Sequence, residues 1–242
     1  MRERSTASDV SGTRALVIGV GGLGCPAALA LARAGVGTLG LVDPDVVELS
    51  NLPRQTLYTE ADVGRPKVEA AAARLGAIAP GTRVVTTRAR FDAGDAGWLR
   101  DFDVVLDGTD SIAAKFVVND AAVATGIPLV HAGAVDFRAQ LLTIVPGATA
   151  CYRCVFEEAP PADDVPSCQE AGVLGPVVAL AGSLQAADAL RLARGESPSF
   201  AGRLLSIDLR SGSWRTITVR RSAHCPACGS GRTTVTAKGT WS

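Results

Sequence analysis

The sequence has no excess of charge of either sign. Its 24 lysine and arginine residues are balanced by 24 aspartate and glutamate residues, so the formal net charge is zero. Proteins that bind nucleic acid usually carry a basic surplus, because they must neutralise phosphates. The composition gives no electrostatic support for a nucleic-acid partner, and we expect none.

Long apolar runs are also missing. Residues 1–11 are polar and include acidic side chains, so they lack the apolar core of a secretory signal peptide. The most apolar later stretch, residues 173–192, is interrupted by proline, glycine and charged residues and does not have the composition of a membrane span. We therefore expect a cytoplasmic protein that makes no membrane contact.

Six cysteines in 242 residues are too few for a disulfide scaffold. Four of them form two Cys-x-x-Cys pairs, Cys151/Cys154 and Cys225/Cys228. Such pairs in turn-rich surroundings favour a four-thiolate zinc site, and two thioredoxin-type redox pairs are the alternative. Because the protein would fill all four positions, we expect a structural zinc that holds the C-terminal strands to the body of the protein, without His224 as a ligand.

The two remaining cysteines have different surroundings. Cys25 follows a glycine-rich turn, where a small side chain is needed, and we expect it to serve packing. Cys168 closes a polar, proline-rich segment, residues 157–167. A thiol at the end of such a loop is a candidate nucleophile, and the alternative is an idle loop cysteine.

A glycine-rich turn follows the first predicted strand, Arg14–Ile18, and precedes an alanine-rich helical pattern that ends near Gly35. Gly19, Gly21 and Gly24 have the G-x-G-x-x-G spacing, with Gly22 between them. Small residues there let the backbone approach a nucleotide, whose phosphates meet the N–H groups at the start of the helix. By itself this is a weak signal, because many nucleotide-using enzymes share it.

An acidic residue ends the second predicted strand, residues 37–42. This residue, Asp43, lies about 20 residues after Gly24, a spacing at which a carboxylate commonly hydrogen-bonds a ribose hydroxyl. Together the glycine turn and this carboxylate indicate a nucleotide-binding fold.

Two further charged residues occupy informative positions. Lys67 lies in the first turn of a predicted helix, Lys67–Ile78, where the helix dipole disfavours a cation. Either its side chain points into solvent, or an anion sits beside it. Asp110 ends the segment Asp107-Gly-Thr-Asp110 after a buried strand, residues 103–106, where a carboxylate could hold magnesium. The alternatives are that Asp110 caps the helix at residues 111–125 and that Asp107 is a cap or turn residue.

The order of the predicted elements indicates an α/β protein. Strands and helices alternate up to a strand at residues 127–132, which is typical of a parallel Rossmann-like sheet. Longer strands at residues 137–145 and 202–219, separated by a helix at residues 175–194, predict an antiparallel C-terminal extension. We therefore expect a mixed β-sheet that carries a structural zinc knuckle.

These motifs together resemble the ThiF/MoeB (HesA) family of sulfur-carrier protein adenylyltransferases, which are related to the ubiquitin-activating enzymes. The resemblance covers roughly residues 14–229, and the motifs occur in the order usual for the family. They are Gly19-Val-Gly-Gly-Leu-Gly24, Asp43, Ser50-Asn-Leu-Pro-Arg-Gln55, Gly64-Arg-Pro-Lys67, Asp107-Gly-Thr-Asp110, Cys151-Tyr-Arg-Cys154, Cys168-Gln-Glu-Ala-Gly172 and Cys225-Pro-Ala-Cys228.

The resemblance implies an ATP-dependent reaction. The C-terminal glycine carboxylate of a small ubiquitin-like sulfur carrier ending in Gly-Gly attacks the α-phosphate of ATP, giving an acyl-adenylate and pyrophosphate. By family likeness Asp43 holds the ribose, Arg54 and Lys67 hold the phosphates with help from Asn51, and Asp110 binds Mg²⁺. This favours the anion over solvent as the neighbour of Lys67.

The resemblance further implies a pathway and partners. The segment at residues 211–228 is most similar to the ThiF branch, which serves thiamine biosynthesis and in which the thiol matching Cys168 links covalently to the carrier. A homodimer and a cysteine desulfurase or other sulfur donor are the expected partners. A MoeB-like enzyme of molybdopterin synthesis and a non-catalytic scaffold are the alternatives. An NAD-dependent oxidoreductase would explain the glycine turn and Asp43. It would not explain Arg54, Lys67, Asp110 or the cysteine pairs.

The same resemblance divides the chain. We expect a flexible leader at residues 1–12, a nucleotide-binding part at 13–145, a carrier-binding and zinc-containing part of the same domain at 146–229, and a flexible tail at 230–242. The family usually places an Arg-Tyr-x-Arg-Gln segment before the first strand, and its arginine reaches the partner subunit's ATP site. The leader has only Arg2 and Arg4. Either Arg4 substitutes, or the site lacks this arginine, or the true start lies upstream.

Overall fold

A single eight-stranded β-sheet organises the fold. The computed structural model describes residues 9–158 and 172–229, and its sheet has the strand order β3-β2-β1-β4-β5-β6-β7-β8. The first five strands in this order are parallel, and β6, β7 and β8 are added antiparallel. The predicted mixed Rossmann-like sheet with an antiparallel C-terminal extension is therefore confirmed.

The elements follow the sequence pattern closely. The strands are β1 (Arg14–Ile18), β2 (Thr38–Val42), β3 (Arg83–Thr87), β4 (Val104–Asp107), β5 (Leu129–Val135), β6 (Arg138–Ile144), β7 (Arg203–Asp208) and β8 (Ser213–Thr218). The α-helices are α1 (Gly24–Arg33), α2 (Lys67–Ile78), α3 (Ile112–Thr125) and α4 (Gly175–Ala193). A 3-10 helix, Ala93–Asp101, lies between β3 and β4.

The central parallel strands β1, β2 and β4 are buried on both faces. In β1, Ala15 and Val17 pack in one apolar cluster with α1 and α2, whereas Leu16 and Ile18 pack in another with α3. Side chains of a strand alternate between the two faces of a sheet, so a continuous apolar run such as β1 fits between two helical layers. Helix α4 covers the first of these faces, next to α1.

The C-terminal strands belong to the same sheet as the parallel strands. Strand β7 pairs with β6, and β8 pairs with β7 and forms the outer edge. The proposed division at residues 145/146 therefore falls within one continuous sheet, and the division itself stays a prediction. Of the predicted leader and tail, residues 1–8 and 230–242 lie outside the described residues, as do Arg2 and Arg4.

No helix in the described part of the chain is both long enough and apolar enough to cross a membrane.

Candidate functional site

The sequence motifs converge at one edge of the sheet. Because β1, β2 and β4 run parallel, their carboxyl ends lie side by side, with Ile18 paired to Val42 and to Asp107. The loops that leave these three strands therefore meet at the point where the strand order reverses between β1 and β4. Open α/β sheets bind their ligands at this place.

The glycine turn lies at this edge of the sheet, directly after β1. Gly19 has φ +87°, a left-handed conformation that favours glycine. A Cβ on Gly19 would lie 2.7 Å from the carbonyl carbon of Gly108, and a Cβ on Gly24 would collide with the carbonyl oxygen of Gly19. Three backbone segments are thus in direct contact, which only glycines permit. Helix α1 begins at Gly24, so the positive end of its dipole lies at the glycine turn.

Asp43 is held rigidly beside the turn. Its Oδ2 accepts a hydrogen bond from Val20 N at 2.7 Å, and its Oδ1 accepts one from Asp45 N at 2.9 Å. Burial raises the pKa of Asp43, while Lys67 and these two N–H groups oppose the rise. Each carboxylate oxygen has two lone pairs, so Asp43 keeps acceptor capacity for a ligand hydroxyl.

Lys67 does not point into open solvent. Its side chain is only 9% exposed, and Nζ lies 2.8 Å from Asp45 Oδ2 and 4.0 Å from Asp43 Oδ1. The solvent alternative for Lys67 is therefore wrong. The buried stem of Lys67 directs an ammonium group to the carboxyl edge of β2, where an exposed carboxylate, Asp45, is its partner.

The polar segment after β2 supplies the third side of the site. Asn51 is buried, and its Oδ1 accepts from Glu48 N at 3.2 Å. Arg54 Nη1 donates to Ser50 O at 2.8 Å, so the guanidinium bends back over its own turn. Gln55 is also buried, its Nε2 lies 3.7 Å from a Cβ built on Gly21, and its Oε1 has no hydrogen-bond partner. An unpaired buried amide oxygen beside the glycine turn is a feature that a bound ligand with a donor group would satisfy.

Asp110 is exposed at the end of the β4–α3 loop, residues 107–110. It is not the helix cap, because Ser111 occupies that position and its Oγ accepts from Ala114 N at 3.4 Å. The capping alternative for Asp110 is therefore wrong. A surface carboxylate at the carboxyl end of a strand suits the first coordination sphere of Mg²⁺, which keeps several waters.

Asp107 has a different role from Asp110. It is fully buried, and its Oδ2 lies 2.8 Å from His131 Nδ1 and 3.3 Å from Lys115 Nζ. Its Oδ1 accepts from Thr109 N at 2.9 Å and from Thr109 Oγ1 at 2.6 Å. Of the alternatives for Asp107, the structure shows the turn role, whereas the sequence did not predict Lys115 and His131 as its partners. The available signal was a charged residue within the apolar face of α3 and a histidine within a buried strand.

The four paired cysteines lie together and pack in the same apolar cluster as α3. Their Sγ atoms all lie within 4.8 Å of one another, with separations of 3.6 Å for Cys151–Cys225, 3.4 Å for Cys154–Cys228 and 4.0 Å for Cys151–Cys154. A tetrahedral zinc with Zn–S bonds of about 2.3 Å places its sulfurs about 3.8 Å apart. The donor set and spacing fit zinc, and the thioredoxin-type alternative does not account for this meeting of both pairs.

Backbone groups of the second pair suit a thiolate. Burial alone would raise the pKa of Cys225, but hydrogen bonds from the backbone of Cys228 and Ala227 lower it below its ordinary value. N–H groups that point at a sulfur stabilise its charged form. Zinc bound by these residues would link the stretch after β8 to the segment after β6, residues 151–154, and so hold the C-terminal strands in place.

The remaining cysteines differ in what the structure shows. Cys25 is fully buried, its Sγ donates to Val20 O at 3.4 Å, and burial raises its pKa to about 12. Its predicted packing role is confirmed, since such a thiol is not ionised at neutral pH. Cys168, the candidate nucleophile, lies outside the described residues.

Comparison with known families gives a match along almost the whole chain. The model described as "ThiF family" matches residues 4–227. The match includes the glycine turn, the β4–α3 loop and three of the four paired cysteines, Cys151, Cys154 and Cys225.

Curated relatives share close to half of their aligned residues with this chain. It is 47% identical over 223 residues to "Adenylyltransferase and sulfurtransferase MOCS3" of Sus scrofa, which covers 91% of this chain and 49% of that protein. It is 44% identical over 225 residues to "Sulfur carrier protein ThiS adenylyltransferase" of Escherichia coli K12, covering 90% of this chain and 86% of that one. The chain thus spans about half the length of the MOCS3 relative.

Solved structures share the fold. The crystal structure of Escherichia coli MccB with ATP superimposes with a TM-score of 0.80 and 25% sequence identity, over 92% of this chain and 68% of that one.

Proposed function

Because the chain belongs to the ThiF family, we propose that it is an ATP-dependent adenylyltransferase that activates the C-terminal glycine carboxylate of a small ubiquitin-like sulfur-carrier protein. The observation that carries the proposal is the convergence at one edge of the sheet of Asp43, Lys67 and the glycine turn, against which the loop that bears Asp110 is packed. The names of the MOCS3 and ThiS adenylyltransferase relatives support the same activity.

The proposed step forms one bond and breaks one bond. A carrier carboxylate oxygen attacks the α-phosphorus of ATP, and the bond from this phosphorus to the bridging oxygen of the β-phosphate breaks, releasing pyrophosphate. Arg54 and Lys67 neutralise charge on the phosphates as the leaving group separates. Phosphoryl-transfer chemistry of this kind depends mainly on positioning and charge stabilisation.

The nucleotide is proposed to lie over the glycine turn. The phosphates meet Gly21, Gly22 and the amino-terminal end of α1, and the ribose hydroxyls donate to Asp43. Asn51 assists at the phosphates. Asp110 would hold Mg²⁺, which supplies further charge neutralisation at the phosphate oxygens.

We propose that the carrier ends in Gly-Gly, binds the part of the chain at residues 146–229, and belongs to thiamine biosynthesis. The likeness of residues 211–228 to the ThiF branch supports this choice. A MoeB-like role is the second candidate, because the MOCS3 relative is as similar as the ThiS adenylyltransferase relative. A homodimer, a cytoplasmic location and a cysteine desulfurase or other sulfur donor complete the proposal.

We propose that Cys168 forms the covalent link to the carrier during sulfur transfer. Cys168→Ala should keep adenylation and lose sulfur transfer, measured by mass spectrometry of the carrier's C-terminus. Sulfur transfer at the wild-type level in this variant would assign Cys168 to an idle loop position.

ATP–pyrophosphate exchange tests the main proposal. Wild-type protein should exchange labelled pyrophosphate into ATP only when a carrier ending in Gly-Gly is present, and ThiS-like and MoaD-like carriers should be compared. Lys67→Ala and Asp110→Ala should each lower the exchange rate by roughly 100-fold or more. Arg74→Ala, which removes an exposed cation from the same helix as Lys67, is the matched control. Absence of exchange with every carrier, together with binding of NADH, would contradict the proposal.

A further inference from the structure

An ion pair is buried directly beneath the proposed nucleotide site. Lys115 on α3 and Asp107 at the end of β4 are both buried, and Lys115 Nζ lies 3.3 Å from Asp107 Oδ2. Burying two charges costs several kcal/mol per ion in desolvation, and apolar residues of similar size are often as stable. The location of the pair at the functional edge therefore calls for a role beyond stability.

Lys115 makes two further short hydrogen bonds. Nζ donates to Thr109 O at 2.6 Å and to Ala132 O at 2.7 Å, so all three ammonium protons have acceptors. These acceptors belong to the β4–α3 loop, to β5 and to the end of β4. One side chain thus fixes the loop against two strands of the sheet.

The neighbours of Asp107 keep its carboxyl group ionised. Burial alone would raise the pKa of Asp107, but Lys115 and His131 hold it well below its usual range. Burial lowers the pKa of His131, so the imidazole is neutral at pH 7 and its Nδ1 donates to Asp107. Lys115 is therefore the cation that balances the Asp107 carboxylate.

The loop held by Lys115 is in contact with the glycine turn. A Cβ on Gly19 would lie 2.9 Å from Thr109 N, and a Cβ on Gly108 would lie 2.5 Å from Gly19 O. The next residue after Thr109 is Asp110, the proposed magnesium ligand. A shift of the loop would therefore change the separation between the phosphate-binding backbone and the metal-binding carboxylate.

We propose that Lys115 is a positioning residue. It holds the β4–α3 loop so that Asp110 can bind the Mg²⁺ of the same nucleotide whose phosphates lie on the glycine turn. This inference rests on the proposed function. Lys115 itself contacts neither nucleotide nor metal, and it acts through Thr109 and Asp107.

Binding of α,β-methylene-ATP, which cannot undergo the reaction at its α-phosphate, tests the inference without turnover. The dissociation constant is measured by calorimetry with and without Mg²⁺, and the ratio of the two values reports the gain that the metal provides. Lys115→Met should reduce this gain by about tenfold or more, since small misplacements of a site cost up to about 100-fold. Lys115→Arg should keep only part of the Mg²⁺-dependent gain, because a planar guanidinium does not reproduce the three hydrogen bonds of the ammonium group.

Two other variants control for folding. Thr143→Val removes a buried 2.6 Å hydrogen bond to Asp188 that involves neither Lys115 nor the β4–α3 loop, and it should lower stability while leaving the Mg²⁺-dependent gain unchanged. Thr109→Val removes only the hydroxyl bond to Asp107, so it tests the loop without leaving a buried charge unpaired. If Lys115→Met does not fold, Thr109→Val and Lys115→Arg decide, and both should reduce the gain.

The outcomes separate the inference from the proposed function. Wild-type protein that binds no ATP analogue would contradict the proposed function. Wild-type protein that binds with a clear Mg²⁺-dependent gain, together with loop variants that keep this gain in full, would overturn the role of Lys115 alone. A full Mg²⁺-dependent gain in Lys115→Arg would also overturn this role, because any cation that balances the Asp107 carboxylate would then be enough to hold the loop.

Discussion

Gly19 and Gly108 are packed backbone against backbone at the centre of the proposed nucleotide site. A Cβ on Gly19 would lie 2.7 Å from both the carbonyl carbon and the carbonyl oxygen of Gly108, closer than real Cβ atoms approach other atoms. The two glycines come from the turns after β1 and β4. Their contact makes the relative position of these turns a fixed feature of the fold.

Gly19→Ala should therefore destabilise the protein. The substitution combines a φ of +87° that disfavours L side chains with overpacking against Gly108, together costing about 2–4 kcal/mol. For a protein of this size we expect a fall in Tm of roughly 5–15 °C. Gly21→Ala is the control, because its nearest neighbour would be Gln55 Nε2 at 3.7 Å, an ordinary contact. Equal Tm values for the two variants would contradict the packing argument.

Zinc binding should be stoichiometric and depend on the paired cysteines. Cys151→Ser and Cys228→Ser should purify with little zinc by mass spectrometry of the metal, and their Tm should fall by about 10 °C, since structural zinc contributes several kcal/mol to folding. Cys25→Ser, which alters a buried thiol outside the cluster, should retain the metal. Wild-type protein purified without zinc and unaffected by a strong chelator would argue against the site.

Much of this site was predictable from local sequence. The strand, glycine turn and helix around Gly19 follow from residues adjacent in the chain, and so do Asp43 at the end of β2 and Lys67 at the start of α2. The meeting of Cys151 and Cys225 followed from ligand chemistry, because a four-thiolate site requires two pairs.

The buried cluster under the loop could not be predicted in the same way. Asp107 and His131 are 24 positions apart and meet because β4 pairs with β5 in a register that places them side by side. Lys115 joins them because α3 turns back over the carboxyl end of β4. Neither the strand register nor the rotation of α3 can be derived from motif spacing. For the same reason the sequence did not show where α3 begins, and a helix cap remained an alternative for Asp110.

Asp45→Asn should strengthen ATP binding. Lys67 Nζ is held at 2.8 Å by the largely exposed Asp45 carboxylate, which would compete with a phosphate for the same ammonium group. Removing that negative charge should lower the dissociation constant of ATP by about two- to fivefold at low salt, and the difference should shrink as salt is raised. Asp101→Asn makes the same charge change at the opposite end of β1, beside Arg14, and should have no effect. Weaker binding by Asp45→Asn would show that Asp45 itself contributes to the nucleotide site.

The stability of the protein should depend on pH through His131. Because burial lowers the pKa of His131 below its ordinary value of 6.5, the unfolded chain takes up a proton that the folded chain does not. The contribution of His131 to the free energy of unfolding is therefore complete above the ordinary histidine pKa of 6.5 and is lost as the pH falls below that value. Urea unfolding of the zinc-loaded protein between about pH 7.5 and pH 5.5 measures the slope. His131→Gln should flatten the slope, whereas His224→Gln, which removes the chain's other, exposed histidine, should leave it unchanged. A slope that survives in His131→Gln would assign the pH dependence to other groups.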